Sequence, residues 1–432
     1  MLFRKFISID IGSKKTKIVY GGVRKNTLEI IEYAIIDTPR NSIMDGKILD
    51  FQVLNEVLKS AFKENNIKGR HLLFIITGTA IITREVQIPD SSDEELAKIL
   101  QFEAQQYFPV DLDSYIMDYR PLEKSTTPDG VFVKVQLIAV PQRQVDEYVK
   151  LADSLKKEIT TIDISANCLN RFLYPESFLN DNSSQDQNPA EKSDPGIAVL
   201  DIGYETIGVS VFSKGILKFQ RNLLNGFEDL ANYLKNAGQS KGSSMFNLAD
   251  YTGPVSTAGE IYQKTEPSSD KDLTGKKLNT QSPEAEKEET ESDDSNLFPD
   301  YPMSHSEAAA TKSTYIKDSE NTIEATDIDL ENPDMQPILA PAINSILADL
   351  QRFFDFYNTR SGGNKISKIL LYGGGSKLKG LEKYIEQYYG IETSYLTFKN
   401  VNGPFNIVYK GKKTDFKECC PLLINAVGAL IR

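Results

Sequence analysis

Two stretches of this chain, far apart in sequence, follow one plan, and that repetition limits the fold more than any other feature. In the first, the apolar run Phe6-Ile7-Ser8-Ile9 ends in Asp10-Ile11-Gly12. A polar turn follows, and a second β-rich run leads away through Lys17-Ile18-Val19-Tyr20. In the second, Gly196-Ile197-Ala198-Val199-Leu200 ends in Asp201-Ile202-Gly203. It passes the hydroxyl of Thr206, continues as Ile207-Gly208-Val209-Ser210-Val211, and is followed by a third strand at Ile216 to Arg221. Each reads as a hairpin with an acid and a glycine at its tip. One such hairpin is an ordinary solvated turn; two of them imply related halves facing one ligand.

The first tip has the chemistry of a phosphate site. Gly12 lets the backbone come close to a ligand. Backbone N–H groups and the Ser13 and Thr16 hydroxyls are donors for phosphate oxygens, and Lys17 adds a point charge. Asp10, at the end of a buried strand, is placed to hold a magnesium ion through water. Further on, Gly373-Gly374-Gly375 stands between the buried run Ile369-Leu370-Leu371-Tyr372 and a helix, where a flat base or ribose can approach the backbone. In this order and spacing the three motifs resemble the first phosphate, second phosphate and adenosine loops of the actin, hexokinase and heat-shock chaperone ATPase superfamily.

Composition narrows the function classes. The 432 residues have room for two or more domains, and no apolar run approaches the ~18 residues that span a bilayer. The start, Met1-Leu2-Phe3-Arg4-Lys5, enters a strand without a signal-peptide core, so a cytoplasmic protein is expected. Cys168, Cys419 and Cys420 lack metal-ligand spacing, and with only His71 and His305 no zinc set is expected; buried free thiols are the reading. The net charge of −12 is local, because residues 251–330 hold 18 acids against 7 lysines, a net of −11. That segment is rich in Ser, Thr, Pro and Glu and has no sustained apolar period, so it is expected to be a disordered insert. No basic stripe with interleaved aromatics is present, so no nucleic-acid partner is expected.

Taken in order, the opening hairpin is followed by a strand at Thr27 to Ile36. A helix bearing Phe51, Leu54, Leu58, Ala61 and Phe62 comes next, and then a buried strand from Leu72 to Thr77. A different module follows. Val86-Gln87-Ile88-Pro89 reads as a short strand, and Ser92-Asp93-Glu94-Glu95 as a capping box opening a helix with Leu96, Ile99 and Leu100 inward. Strands around Tyr115 to Tyr119 and Val131 to Val140 and a helix from Gln142 to Lys157 complete an insertion over 86–160.

That insertion resembles the extra small domain of the pilus-assembly protein family PilM and of the cell-division protein FtsA. The wording is nearer PilM in Met44-Asp45-Gly46-Lys47-Ile48, in Arg84 and Pro89, and in Phe102-Glu103-Ala104-Gln105-Gln106-Tyr107-Phe108-Pro109. Asp118-Tyr119, Ala139-Val140-Pro141 and the ending Ala426-Val427-Gly428-Ala429-Leu430-Ile431-Arg432 agree with it too. An FtsA-like chain continues into an amphipathic membrane helix, whereas Pro421 to Arg432 reads as a packing helix.

The resemblance implies an α/β, actin-like fold of duplicated ribonuclease H-like halves with a small inserted α+β domain. It implies a first half over 1–85 with returns at 161–195 and 396–432, and a second half over 196–240 and 335–395. The insertion then covers 86–160 and the acidic insert 241–334. It also implies ATP and Mg2+ between the halves, with Asp10 and Asp201 on the metal side. Gly12, Ser13, Lys17, Gly203 and Thr206 would surround phosphates, and Gly373, Gly374 and Gly375 would meet adenosine. The implied partners are the cytoplasmic tail of a PilN-like inner-membrane protein and the pilus motor ATPase platform, with membrane contact only through partners. Hydrolysis is expected to be slow or absent, since no residue that positions an attacking water can be named. A filament-forming FtsA-like protein, a sugar or acetate kinase and a pseudo-ATPase scaffold are the rival readings. The chain departs from the family at Asn225-Gly226, where a double glycine is usual, and in lacking an ordered Ala-Glu-x-x-Lys stretch; Ala285-Glu286-Lys287 falls in low-complexity sequence.

Overall fold

The computed structural model describes residues 4–108, 110–128, 130–175, 195–240, 323–361, 364–401 and 405–432, all within one compact unit. The expected disordered insert therefore lies outside the described residues over 241–322. Its last stretch, 323–334, was also read as low complexity, but it is part of the fold. Ala325, Ile328 and Leu330 are buried in a core, and Asp329 bridges to Lys379. Three well-spaced apolar residues in an acidic context are too weak a pattern to be read from sequence.

The first sheet opens with the antiparallel meander β1 (Phe6–Ile11), β2 (Lys15–Arg24) and β3 (Thr27–Asp37). A small hairpin, β4 (Ile43–Met44) and β5 (Lys47–Ile48), leads to the helix Phe51–Glu64. Asp50 caps that helix by accepting from the Val53 N–H at 3.1 Å, and Leu54, Leu58, Ala61 and Phe62 form its buried stripe. Burying each large side chain stabilises the half by about 1.5–3 kcal/mol. The crossover returns the chain as β6 (His71–Ile76), parallel to β1.

The inserted module has its own sheet, ordered β7-β9-β8, from β7 (Ile82–Pro89), β8 (Tyr115–Thr127) and β9 (Gly130–Pro141). The helix Asp93–Tyr107 covers it, with Ser92 and Glu95 forming the reciprocal capping box. Val86, Ile88, Leu96, Leu100, Phe108, Val133, Val135 and Leu137 make its core. The sequence reading drew this module to residue 160, but its core closes by Ala139. Tyr148, Leu151 and Ala152 of the helix Gln142–Ser154 are buried in the first half's core. An amphipathic helix does not say in its sequence which of two adjacent cores it faces. β10 (Glu158–Ile164) then joins the first sheet parallel to β6.

The second half repeats the first. β11 (Gly196–Ile202), β12 (Ile207–Ser213) and β13 (Ile216–Leu223) form the meander; β14 (Ile366–Tyr372) lies parallel to β11 and β15 (Glu392–Tyr395) parallel to β14. The helices Phe227–Ser240, Gln336–Arg360 and Leu381–Tyr389 accompany these strands. The strand order is β13-β12-β11-β14-β15, and the first sheet has the matching order β3-β2-β1-β6-β10 with one addition. That addition is β16 (Asn406–Tyr409), parallel to β3, which brings the chain back to the first half. The last helix, Cys420–Gly428, starts with Pro421 in its first turn and packs on the helix Ser165–Leu173. At Gly428 a Cβ would lie 2.0 Å from the Cys168 carbonyl, so only glycine permits this crossing. The cysteines are free; Cys168 and Cys420 are buried, whereas Cys419 is partly exposed beside Asp415.

Candidate functional site between the halves

The strand order puts the C-terminal ends of β1 and β11 at the same place in each half, and both Asp-Ile-Gly tips open on one cavity of about 310 Å³. Asp10, Gly12, Ser13, Lys17, Asp201, Gly203, Thr206, Gly373, Gly374 and Gly375 all line it. Thr16 does not. Its side chain is fully buried, with Oγ1 2.7 Å from Thr38 Oγ1, because strand alternation turns it away from the turn's open face.

The tips are tight. The Gly12 N–H donates to the Lys15 carbonyl at 3.1 Å, and the Gly203 N–H donates to Thr206 at 2.9 Å. Gly373 has φ +90°, and a Cβ there would lie 2.4 Å from Asp201 Oδ1, so this glycine is required by both its backbone and its neighbour. Gly374 is different: a Cβ there would meet Leu422 Cδ2 at 3.6 Å, an ordinary contact, so this residue lines the cavity without a steric demand for glycine.

Charge is arranged around the two aspartates. Asp10 and Lys17 are cross-strand partners, and Lys17 Nζ lies 3.1 Å from Asp10 Oδ2 with both side chains largely buried. Asp201 is only partly exposed at the cavity wall, and desolvation pushes its carboxyl up to about 6; Lys17 opposes that rise and Asp10 adds to it. The Asn425 amide donates to Asp201 Oδ2 at 3.3 Å, and the Tyr372 hydroxyl donates to Asn425 Oδ1 at 3.0 Å. Burial also raises Tyr372 well above its usual range, with Asp201 next in effect.

Residues that sequence reading did not place complete the cavity. Lys14 lies over the Tyr204 ring at 4.9 Å, and Tyr204 is pushed up to about 12 by burial and by Glu228. Burial and then Glu228 raise the Glu205 carboxyl, and the backbone N–H of Asp45 opposes that rise. The wall formed by Glu324, Ala325 and Thr326 comes from the stretch read as low complexity. Asn425 sits in the helix read as pure packing. Only the Asp45-Gly46 turn carried a sequence signal, and Asp45 holds Thr79 through its N–H at 2.8 Å and its hydroxyl at 2.6 Å. Around Asn225-Gly226, the Phe227 and Glu228 N–H groups donate to the Gly203 and Tyr204 carbonyls. The helix start there braces the second tip.

A polyphosphate with magnesium suits this donor set. Two facing acids at strand ends, a lysine-rich turn and a glycine-lined wall supply the needed groups. Among the described residues no cluster of three or more His, Cys, Asp or Glu gathers for a metal, so Mg2+ here would rely on water and phosphate oxygens, as it commonly does.

Two halves of identical strand order around such a cleft, with a small module inserted in the first, define an actin-like ATPase fold. The family model described as type IV pilus assembly protein PilM matches residues 8–238 and 311–429, and the chain belongs to that family. A solved structure of the PilM-PilN type IV pilus biogenesis complex superposes with a TM-score of 0.65 at 16% identity, over 99% of this chain and 97% of that one. More remote are ethanolamine utilization protein EutJ from Carboxydothermus hydrogenoformans, with TM-score 0.47 and 10% identity over 100% and 90%, and MreB5 of Spiroplasma citri bound to ADP, with 0.43 and 11% over 99% and 95%. No helix among the described residues is long and apolar enough to cross a membrane.

Proposed function

We propose that this chain is an actin-like component of the type IV pilus assembly platform that binds ATP with Mg2+ between its halves and holds the cytoplasmic tail of a PilN-like membrane protein. The observation that supports it most is the meeting of both Asp-Ile-Gly tips and the triple glycine in one cavity. In this reading Gly12, Ser13, Lys17, Gly203 and Thr206 receive phosphates. Asp10 and Asp201 would hold the metal through water, and the metal would supply neutralisation of phosphate charge. The cavity wall at Gly374 takes the nucleoside. Membrane association then comes through the partner at the inner face of the cell membrane.

The partner half of the proposal is supported by family membership and by the likeness to a PilM-PilN complex. The helix Asp93–Tyr107 leaves Phe102 87% exposed, whereas Phe108 at its end is buried, so the aromatic surface offered to a peptide is Phe102 rather than Phe108. A ligand bound only to the folded state raises its melting temperature. Millimolar MgATP is therefore expected to stabilise the wild type, and Asp10→Ala to reduce that shift while keeping a cooperative transition. A labelled N-terminal peptide of a PilN-like membrane protein is expected to bind saturably and to lose affinity in Phe102→Ala. An unchanged melting curve would favour a pseudo-ATPase scaffold, and a peptide that never binds would remove the PilN-like partner.

A further inference from the structure

Lys14 is a residue of the first tip that the proposed function leaves unused. Its Nζ is shielded from solvent and lies 2.9 Å from Glu324 Oε1, yet it makes no aligned hydrogen bond to any described residue. An ammonium carries three donors, and burying them without acceptors is costly. The ring of Tyr204 at 4.9 Å holds the cation from the second half, and Glu324 reaches it from the short 3-10 turn Ala325–Asp327. That turn is fixed in place: the Glu324 N–H donates to Asp327 Oδ2 at 2.7 Å, and Ala325 and Ile328 are buried in the second core. Lys14, Tyr204 and Glu324 all line the cavity with the two tips. The carboxylate is half-exposed, so it can leave Lys14 for water at little cost, whereas the lysine cannot leave its shielded position as easily.

We propose that Lys14 Nζ is an anion subsite of the nucleotide cavity, filled in the ligand-free protein by the Glu324 carboxylate, and that a phosphate of the incoming polyphosphate displaces Glu324. The inference rests on the nucleotide reading above and names a regulation of that site. The pair joins the first half to the second across the cavity, so ligand and carboxylate exclude each other at one cation. Nucleotide binding then trades an inter-half ion pair for a lysine–phosphate contact, and Glu324 lowers the protein's affinity for polyphosphates in general, without regard to the base.

The test is calorimetric titration of the full chain with MgATP and, separately, with inorganic tripolyphosphate. Glu324→Gln is expected to tighten both ligands about fivefold, the range of a partly exposed ion pair. Lys14→Met is expected to weaken both about tenfold, and adding Glu324→Gln to it should change nothing further, since the contested cation is gone. Glu324→Ala serves as a second variant should the amide find a new partner, and melting curves without ligand check that each protein folds. Weaker ATP binding in Glu324→Gln with tripolyphosphate unchanged would overturn the proposal by placing Glu324 on the nucleoside. An equal response of ATP and tripolyphosphate to Glu324→Gln in both lysine and methionine backgrounds would overturn it too. Should the wild type bind neither ligand but Glu324→Gln bind tripolyphosphate, the subsite stands and the nucleotide reading of the wild type falls. If neither protein binds either ligand, both fall.

Discussion

The two hairpin tips share a backbone and differ in charge. In the first, Asp10 faces Lys17 across the strand pair; at the matching place in the second, Asp201 faces Gly208. The first tip carries Lys14, Lys15 and Lys17, and the second carries Tyr204 and Glu205. One aspartate is therefore neutralised within its own hairpin. The other depends on groups brought from elsewhere: Asn425 from the last helix and Lys17 from the opposite half. A duplicated fold can thus divide one site into a cationic side and an acidic side, with a single lysine influencing both acids. The first half sets the charge of the second only after the chain has closed, which ties the state of the cleft to the contact between halves.

The largest effect is expected from removing that lysine. Lys17→Met leaves Asp10 buried without its partner and takes from Asp201 the charge that opposes its raised pKa. Breaking a buried pair from one side costs about 4 kcal/mol, because a desolvated charge remains. Denaturant unfolding should show that loss, and Asp10→Asn in the same chain should restore much of it. A loss under ~1 kcal/mol would mean that Lys17 is a solvated neighbour and that the two tips are electrostatically alike.

Asp201 sharpens the same contrast through pH. Its folded pKa of about 6 lies above the ordinary carboxylate value of 3.8, so between those values the native state holds more protons than the unfolded one. Stability then falls as pH rises through that window, by about 3 kcal/mol in all, and stays reduced above it. Asp201→Asn, measured with a chelator present, should remove this slope and exceed the wild type in stability at neutral pH. A wild-type curve that instead rises across the window on account of Asp201 would show that its carboxylate is held charged.

How far the sequence revealed this site follows from the range of the contacts involved. The hairpins, the triple glycine and the capping box at Ser92 were legible because each is a local pattern with a local physical cause. Thr16 was misread as a phosphate donor because the hydroxyl's direction depends on strand register, which places it against Thr38. Asn425 and Glu324 were invisible for another reason: each reaches the cavity from a distant segment, and nothing in its neighbours marks it. The helix Gln142–Ser154 was given to the wrong core because amphipathicity fixes a face and not its partner.

The halves differ also in what their loops carry, since the second contains the acidic stretch between the helices Phe227–Ser240 and Gln336–Arg360. From its sequence alone it is expected to carry too little apolar surface to offset the entropy of ordering. Deleting residues 253–319 and joining the ends with a short flexible linker should therefore be the mildest change of all. Shortening a long loop reduces closure entropy only logarithmically, so the expected change is within about 1 kcal/mol, on the stabilising side. The turn at Ala325–Asp327 stays in place in this variant, held by Ile328 and Leu330 in the second core. Thermal unfolding of the deletion protein checks this directly. A fall of several kcal/mol would mean that the acidic stretch packs as a folded subdomain, and the second half would then differ from the first in architecture as well as in charge.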